Sequence, residues 1–334
     1  MSRITILGGG SWGTGLAVAL ASSRRKHQIR LWARSPELAQ AIEVQRENLK
    51  YLPGIQIPTC VQVSAKLEEA LREAQIVVCA IPSAHMRTVL VEALHEVPRE
   101  ASIVSATKGL EPATHFRMSQ VISQVINARF VPRVAVLSGP SFALEAASGQ
   151  PTAVAISSED TALGACLQEE FSGPTFRLYT NDDVLGVELA GAMKNVMAIA
   201  AGACQGLELG SNSLAALITR GLAEMTRLVV ALGGKAETLS GLAGMGDLIL
   251  TCYGKLSRNR HVGFELGQGH TLEEILAGMK MVAEGVGTTA ALLALARDNH
   301  IELPITQQVH SILHLGNPPR EAIRAIMERP LRRE

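Results

Sequence analysis

Three stretches of this sequence carry side chains whose types and spacing suit chemistry. Gly8-Gly9-Gly10-Ser11-Trp12-Gly13 fits G-x-G-x-x-G. In such a loop the first glycine allows a tight turn and the second lets a pyrophosphate approach the backbone. The third lets the following helix pack close to the sheet, with its N-terminus toward the anion. The second stretch is centred on Lys194, whose helical neighbours Ala190, Gly191, Met197 and Ala198 form an apolar, small-residue face. An ammonium there is costly to bury unless it is paired or loses its proton. A lysine so placed suits proton transfer; the same position would also suit a side chain that snorkels to water. The third stretch holds Gly246-Asp247 and Ser257-Arg258-Asn259-Arg260. Ser257 can cap a helix whose first N–H groups, with Arg258, would attract an anion; on these residues alone an ordinary N-cap with solvated arginines is the preferred reading.

These side chains need elements to position them. Arg3–Leu7 is expected as a strand running into the glycines, followed by a helix over Gly13–Ser23. A second strand over Gln28–Ala33 ends at Arg34, where an NAD-preferring site would carry an acid; Arg34 instead suits a 2′-phosphate. Gln75–Ile81 (QIVVCAI) is an apolar run fit for a strand buried on both faces. Further strands are expected at Ser102–Ala106, Val134–Leu137, Thr152–Ser157 and Phe176–Tyr179, with helices between the earlier ones, and YLPGIQIP (51–58) as a Pro-broken loop. This alternation implies an α/β fold with a parallel, doubly wound Rossmann-like sheet over residues 1–180. From residue 181 to 334 the pattern is helical throughout, beginning with Val184–Cys204. An all-α second domain is expected there, its first helix packed on the first domain beside a cleft.

Composition narrows the functions. With 31 basic and 31 acidic residues among 334 the formal charge is zero, which gives no electrostatic case for binding nucleic acid or an anionic membrane. Aromatic residues are only 3%, too few for base-stacking platforms. The five cysteines form no CxxC pair, which argues against a zinc site or a disulfide framework. Ile4–Ser23 is uncharged and resembles a signal peptide, but its five glycines suit strand, turn and helix better, so a cytoplasmic protein without membrane insertion is expected. His310 and His314 are four apart, with Ser311 where a zinc-protease motif needs Glu. The basic tail Arg320–Arg333 also carries glutamates and is expected as a solvated helix face.

With these motifs in view, the chain resembles the bacterial NAD(P)-dependent glycerol-3-phosphate dehydrogenases over nearly its whole length. The resemblance rests on GGGSWGTGLA (8–17), ATKGLE (106–111), SGPSFALE (138–145), GAMKNVMAIAAG (191–202), ITRGL (218–222) and GLAGMGDLILTCYGKLSRNRHVG (241–263). Glu208, Ser211 and Gly254 depart from the usual family text and bear only on loop detail. The resemblance implies that Lys194 is the catalytic acid/base, and that Lys108 contacts both substrate and cofactor. It implies further substrate contacts at Gly139, Ser141, Asp247, Ser257, Arg258 and Asn259. Cofactor contacts are implied at Ser11, Trp12, Arg34, Ala143, Arg258, Val282 and Glu284, beside the loop glycines Gly8, Gly10 and Gly13. It further implies NADP(H) in preference to NAD(H), dihydroxyacetone phosphate and sn-glycerol 3-phosphate as the substrate pair, a role in phospholipid synthesis, no metal, and a homodimer. Two rivals are a hydroxyacid or ketopantoate-type dehydrogenase, which would leave SRNR unexplained, and a nucleotide-sensing module in which Lys194 is structural.

Overall fold

The computed structural model describes residues 1–279 and 281–331. The chain divides into two compact units, Met1–Glu111 with Phe116–Glu188, and Pro112–His115 with the chain from Leu189 onward.

The first unit is built on strands β1 (Ser2–Leu7), β2 (His27–Trp32), β3 (Glu47–Asn48), β4 (Leu52–Gln56) and β5 (Val61–Ser64). It continues with β6 (Ile76–Cys79), β7 (Ser102–Ser105), β8 (Arg133–Ser138), β9 (Thr152–Ser157) and β10 (Phe176–Asn181). Eight of these form one sheet in the order β10-β9-β8-β7-β6-β1-β2-β5. The strand order reverses between β1 and β6, which is where open α/β sheets bind ligands at their carboxyl ends. Helices α1 (Ser11–Ala21), α2 (Pro36–Gln45), α3 (Leu67–Leu71), α4 (Met86–Ala93), α5 (Met118–Ile126), α6 (Ala143–Ala147) and α7 (Thr161–Phe171) accompany the sheet. The period-2 geometry of a strand explains the double core: Ile76 and Val78 of β6 join one buried cluster with Leu16 and Leu20 of α1. Val77 and Cys79 join the other, with Leu90 of α4 and Ile122 of α5.

The sheet departs from the sequence expectation in two ways. It is not parallel throughout: β9 pairs antiparallel with β8, and β10 follows β9 in parallel. Alternating apolar residues do not encode direction. The helix linking β8 to β9, α6, spans only about 8 Å, too short to carry the chain back along a six-residue strand of about 20 Å. The second departure is β4, which occupies most of the expected Pro-broken loop and pairs antiparallel with β3. Pro53 is tolerated there because a two-stranded ribbon leaves edge N–H positions free.

The second unit is helical, with no strand among its described residues. It contains most of α8 (Val184–Gly206), then α9 (Ser211–Ala231), α10 (Ala236–Leu239), α11 (Asp247–Tyr253), α12 (Arg258–Gly267) and α13 (Leu272–Gly278). After these come α14 (Glu284–Asp298), α15 (Pro304–His314) and α16 (Pro319–Met327). Positions 332–333 of the basic tail lie outside the described residues. By length and composition α8 could cross a membrane, and 94% of its apolar window is buried inside the protein. Small residues set how closely α8 and α12 approach. A Cβ on Gly202 would stand 2.0 Å from the Arg260 carbonyl oxygen, and one on Gly263 would stand 1.9 Å from that of Ile199. This backbone-to-backbone contact brings the start of α12 beside the middle of α8.

Candidate active site

The glycine loop leaves β1 at the switch point. Gly8 adopts φ +128, and a Cβ there would lie 2.4 Å from the carbonyl oxygen of Ala80, just beyond β6. Only glycine meets both demands. A Cβ on Gly13 would lie 1.9 Å from the Gly8 oxygen, so α1 begins tight against the loop. Gly10, the N-cap of α1, is different: a Cβ there would meet nothing within 4 Å among the described residues. The loop therefore presents open space exactly at a helix start whose first N–H groups lack intrahelical acceptors. The Trp12 indole N–H is buried without a hydrogen-bond partner among the described residues. Both observations fit a dinucleotide. Arg34 is exposed just past β2, next to Ser35, which caps α2 by accepting from Leu38 N–H.

Beyond the carboxyl ends of β7 and β8, Lys108 Nζ donates to the Gly139 carbonyl (2.8 Å) and lies 3.3 Å from Ser141 Oγ, which itself donates to Gly139 O. Gly139 has φ +132 and packs against the Val154 backbone, so a side chain there would strain the turn. Ala143 opens α6, and its backbone lies 2.9 Å from where a Cβ on Gly15 would stand, fixing α6 against α1.

In the second unit Lys194 is not snorkelling. It is 6% exposed; its Nζ donates to Thr251 Oγ1 (2.7 Å) and lies 3.1 Å from Asp247 Oδ1. Thr251, one helical turn beyond Asp247 on α11, donates its own hydroxyl hydrogen bond to the Asp247 carbonyl (2.6 Å). The glycine-rich LAGMG segment forms a π-turn immediately before Asp247, which sets the entry of α11. A buried ion pair is tolerable only when further hydrogen bonds orient it, and Thr251 provides that here. Beside it, burial pushes the Cys252 thiol up to about 12, so the thiol stays neutral and adds no charge next to the ammonium.

Ser257 caps α12, accepting from Arg260 N–H (3.2 Å). Arg258 follows at the first helical position; burial lowers its pKa from the usual arginine value, while Glu284 opposes that shift. An arginine nonetheless stays protonated. No hydrogen-bond acceptor for its guanidinium is found among the described residues. Asn259 bridges three helices: its Nδ2 donates to Asn195 Oδ1 on α8 (2.9 Å), and its Oδ1 accepts from Gly285 N–H on α14 (2.9 Å). Glu284 therefore begins α14 next to the α12 start, with Val282 exposed two residues earlier. Within the second unit the structure thus joins Lys194 to Asp247 and gathers Arg258, Asn259 and Glu284; within the first it joins Lys108, Gly139 and Ser141. Thr251 and Asn195 are additions that the sequence motifs contain without marking.

A Rossmann-type sheet with a phosphate-ready glycine loop, followed along the chain by a helical unit with a buried lysine–aspartate pair, defines a nicotinamide-nucleotide oxidoreductase. Residues 3–164 match the family described as NAD-dependent glycerol-3-phosphate dehydrogenase N-terminus, and residues 183–324 match its C-terminus. A glycerol-3-phosphate dehydrogenase (NAD(P)+) of Koribacter versatilis is 54% identical over 99% of this chain and 98% of its own. One from Acidobacterium capsulatum is 52% identical over the whole of both chains. The crystal structure of glycerol-3-phosphate dehydrogenase from Coxiella burnetii superposes with a TM-score of 0.92 at 40% identity, covering 98% of this chain and 99% of that one. The chain belongs to the NAD(P)-dependent glycerol-3-phosphate dehydrogenase family.

Proposed function

We propose that the protein reduces dihydroxyacetone phosphate to sn-glycerol 3-phosphate, with NADPH preferred over NADH, and that Lys194 is the proton donor. The single observation that carries the reading is the Lys194–Thr251–Asp247 arrangement: a buried, doubly oriented ammonium on the unit that also presents Arg258 at a helix start. When bound, the dinucleotide supplies the hydride; Gly10, Ser11, Trp12 and Arg34 would hold it, the last through a 2′-phosphate. Lys194 gives its proton to the substrate oxygen as that oxygen gains negative charge, and Asp247 and Thr251 keep the ammonium aimed. In the reverse direction the neutral amine accepts the proton. Arg258 and the first N–H groups of α12 hold the substrate phosphate, so binding energy remote from the carbonyl fixes the reacting carbon. Lys108, held on Gly139 O, adds a second cation for the substrate. The product is the backbone unit of glycerophospholipids.

The test is NADPH oxidation with dihydroxyacetone phosphate as the only substrate, run beside hydroxyacid and ketoacid controls. Turnover confined to the controls would reject the reading. In the same assay Arg258→Ala should lower kcat/KM about 10- to 100-fold, since a charge-assisted contact contributes about 1.5–3 kcal/mol. An unchanged kcat/KM would remove Arg258 from the phosphate site.

Cofactor choice has its own test. Arg34→Asp should raise KM for NADPH far more than for NADH, because the new carboxylate repels a 2′-phosphate and accepts from a 2′-hydroxyl. Equal changes for both cofactors would make Arg34 a surface residue without a part in selection.

A further inference from the structure

Asn48 is fully buried and belongs to none of the motifs above. It reaches the glycine loop because of how α2 ends. Arg46 caps α2 in the left-handed region (φ +55), which turns the chain sharply into β3. The Arg46 guanidinium then holds the loop beyond β4, donating to Val61 O (2.7 Å) and to Pro58 O, while pairing with Glu43 (3.1 Å). So anchored, the ribbon of β3 and β4 lies with Asn48 directly against the loop. Its Nδ2 donates to Gly9 O (3.0 Å) and to Thr14 Oγ1 (2.9 Å), and its Oδ1 accepts from Tyr51 N–H (3.2 Å). A carboxamide has two donors, and both are committed to this loop and to the helix it starts.

A trans peptide directs its C=O and N–H to opposite sides. Tying the Gly9 oxygen to Asn48 therefore turns the Gly10 N–H away from Asn48. That N–H has no acceptor among the described residues, and the space at Gly10 is open. We infer that Asn48 is a positioning residue for dinucleotide binding: through the Gly9 carbonyl it holds the Gly9–Gly10 peptide in the one orientation that offers an amide to the pyrophosphate. This rests on the reading of the glycine loop as the pyrophosphate site. Three successive glycines give that peptide more torsional freedom than other residues would, and ordering it before binding removes an entropic cost from association.

The experiment compares two ligands on the full-length protein: NADP+, which has the pyrophosphate, and adenosine 2′-monophosphate, which lacks it. Asn48→Ala removes both donors. Asn48→Asp keeps the size and the Tyr51 contact but sets a carboxylate oxygen against the Gly9 oxygen. Both variants should bind NADP+ about tenfold more weakly, the equivalent of one hydrogen bond, with adenosine 2′-monophosphate within about twofold of the parent. Equal weakening of both ligands, unchanged NADP+ binding, or loss of the fold in both variants would overturn the proposal and leave Asn48 a structural residue. Ser11→Glu separates the underlying reading. An acid at the first helical position favours α1 but repels a pyrophosphate. If Ser11→Glu binds NADP+ normally, the loop reading fails and the proposal with it. If Ser11→Glu loses NADP+ while the Asn48 variants bind it normally, only the role of Asn48 falls.

Discussion

Lys194→Met should lower turnover about 10²- to 10⁴-fold while NADPH still binds, the loss expected for a general acid. Methionine keeps much of the apolar stem among Ala190, Met193 and Ala198, all buried on α8. What disappears is the proton and the charge. The substitution also withdraws the ammonium from Asp247, which is 1% exposed, and breaking a buried pair from one side costs about 3 kcal/mol or more. Stability and catalysis therefore fall together in the single variant, and a second substitution is needed to separate them. Lys194→Met with Asp247→Leu replaces the pair by apolar groups of similar volume, which should recover most of the melting temperature. Turnover should stay low in the double variant. Lys194→Arg preserves a charge opposite Asp247, yet a guanidinium does not release its proton near neutral pH, so it should not restore activity. Near-parent kcat in folded Lys194→Met, measured as NADPH oxidation, would return Lys194 to a purely structural place.

How far the sequence reveals this site depends on whether the signal is local. The QIVVCAI run marks β6 because a strand buried on both faces needs apolar residues at consecutive positions, and Ile76–Cys79 is buried throughout. The glycine loop is legible for the same reason: strand, turn and helix follow one another within a few residues. Lys194 stands out as a cation on an apolar helix. Its partner Asp247 is marked by the GMGD text and the family resemblance rather than by any local pattern, because it is 53 positions away and only tertiary packing brings the two together. Thr251 follows Asp247 by one helical turn, but the glycines of LAGMG obscure where that helix begins; the π-turn there has no clear periodic signature. The start of α14 is hidden in a similar way. Gly285 and Gly287 suggest a loop and an onset near Thr288, whereas the helix begins at Glu284. Gly285 is needed inside it because a Cβ would lie 2.7 Å from the Asn195 carbonyl oxygen. The reversal of β9 is equally silent, since a period of two is the same in either direction. Asn48 carries no periodic mark at all. Its role depends on the left-handed residue before it and on a loop more than thirty residues upstream.

Gly263→Ala should be the most disruptive single methyl in the second unit, lowering stability by about 3 kcal/mol. The added Cβ would stand 1.9 Å from the Ile199 carbonyl oxygen and 2.9 Å from Ala203 N. These neighbours are helix backbone, so no rotamer change can relieve the contact; α12 must move away from α8. Gly267 and Gly206, one turn further along the same crossing, leave no slack, because a Cβ on either would also meet backbone within 3 Å. Displacing α12 carries Ser257, Arg258 and Asn259 away from Lys194, and a shift of about 1 Å at a positioning group can cost about 10²-fold in rate. A drop in melting temperature of roughly 6 °C or more should therefore accompany a loss of kcat/KM larger than that of Arg258→Ala. Gly287→Ala is the matching control. It also adds one methyl within a helix of this unit, but its Cβ would meet nothing within 4 Å among the described residues. Replacing an unconstrained helical glycine should raise stability by about 0.5–1 kcal/mol. If Gly263→Ala melts at or above the parent protein, the α8–α12 contact does not set the position of the phosphate-binding helix.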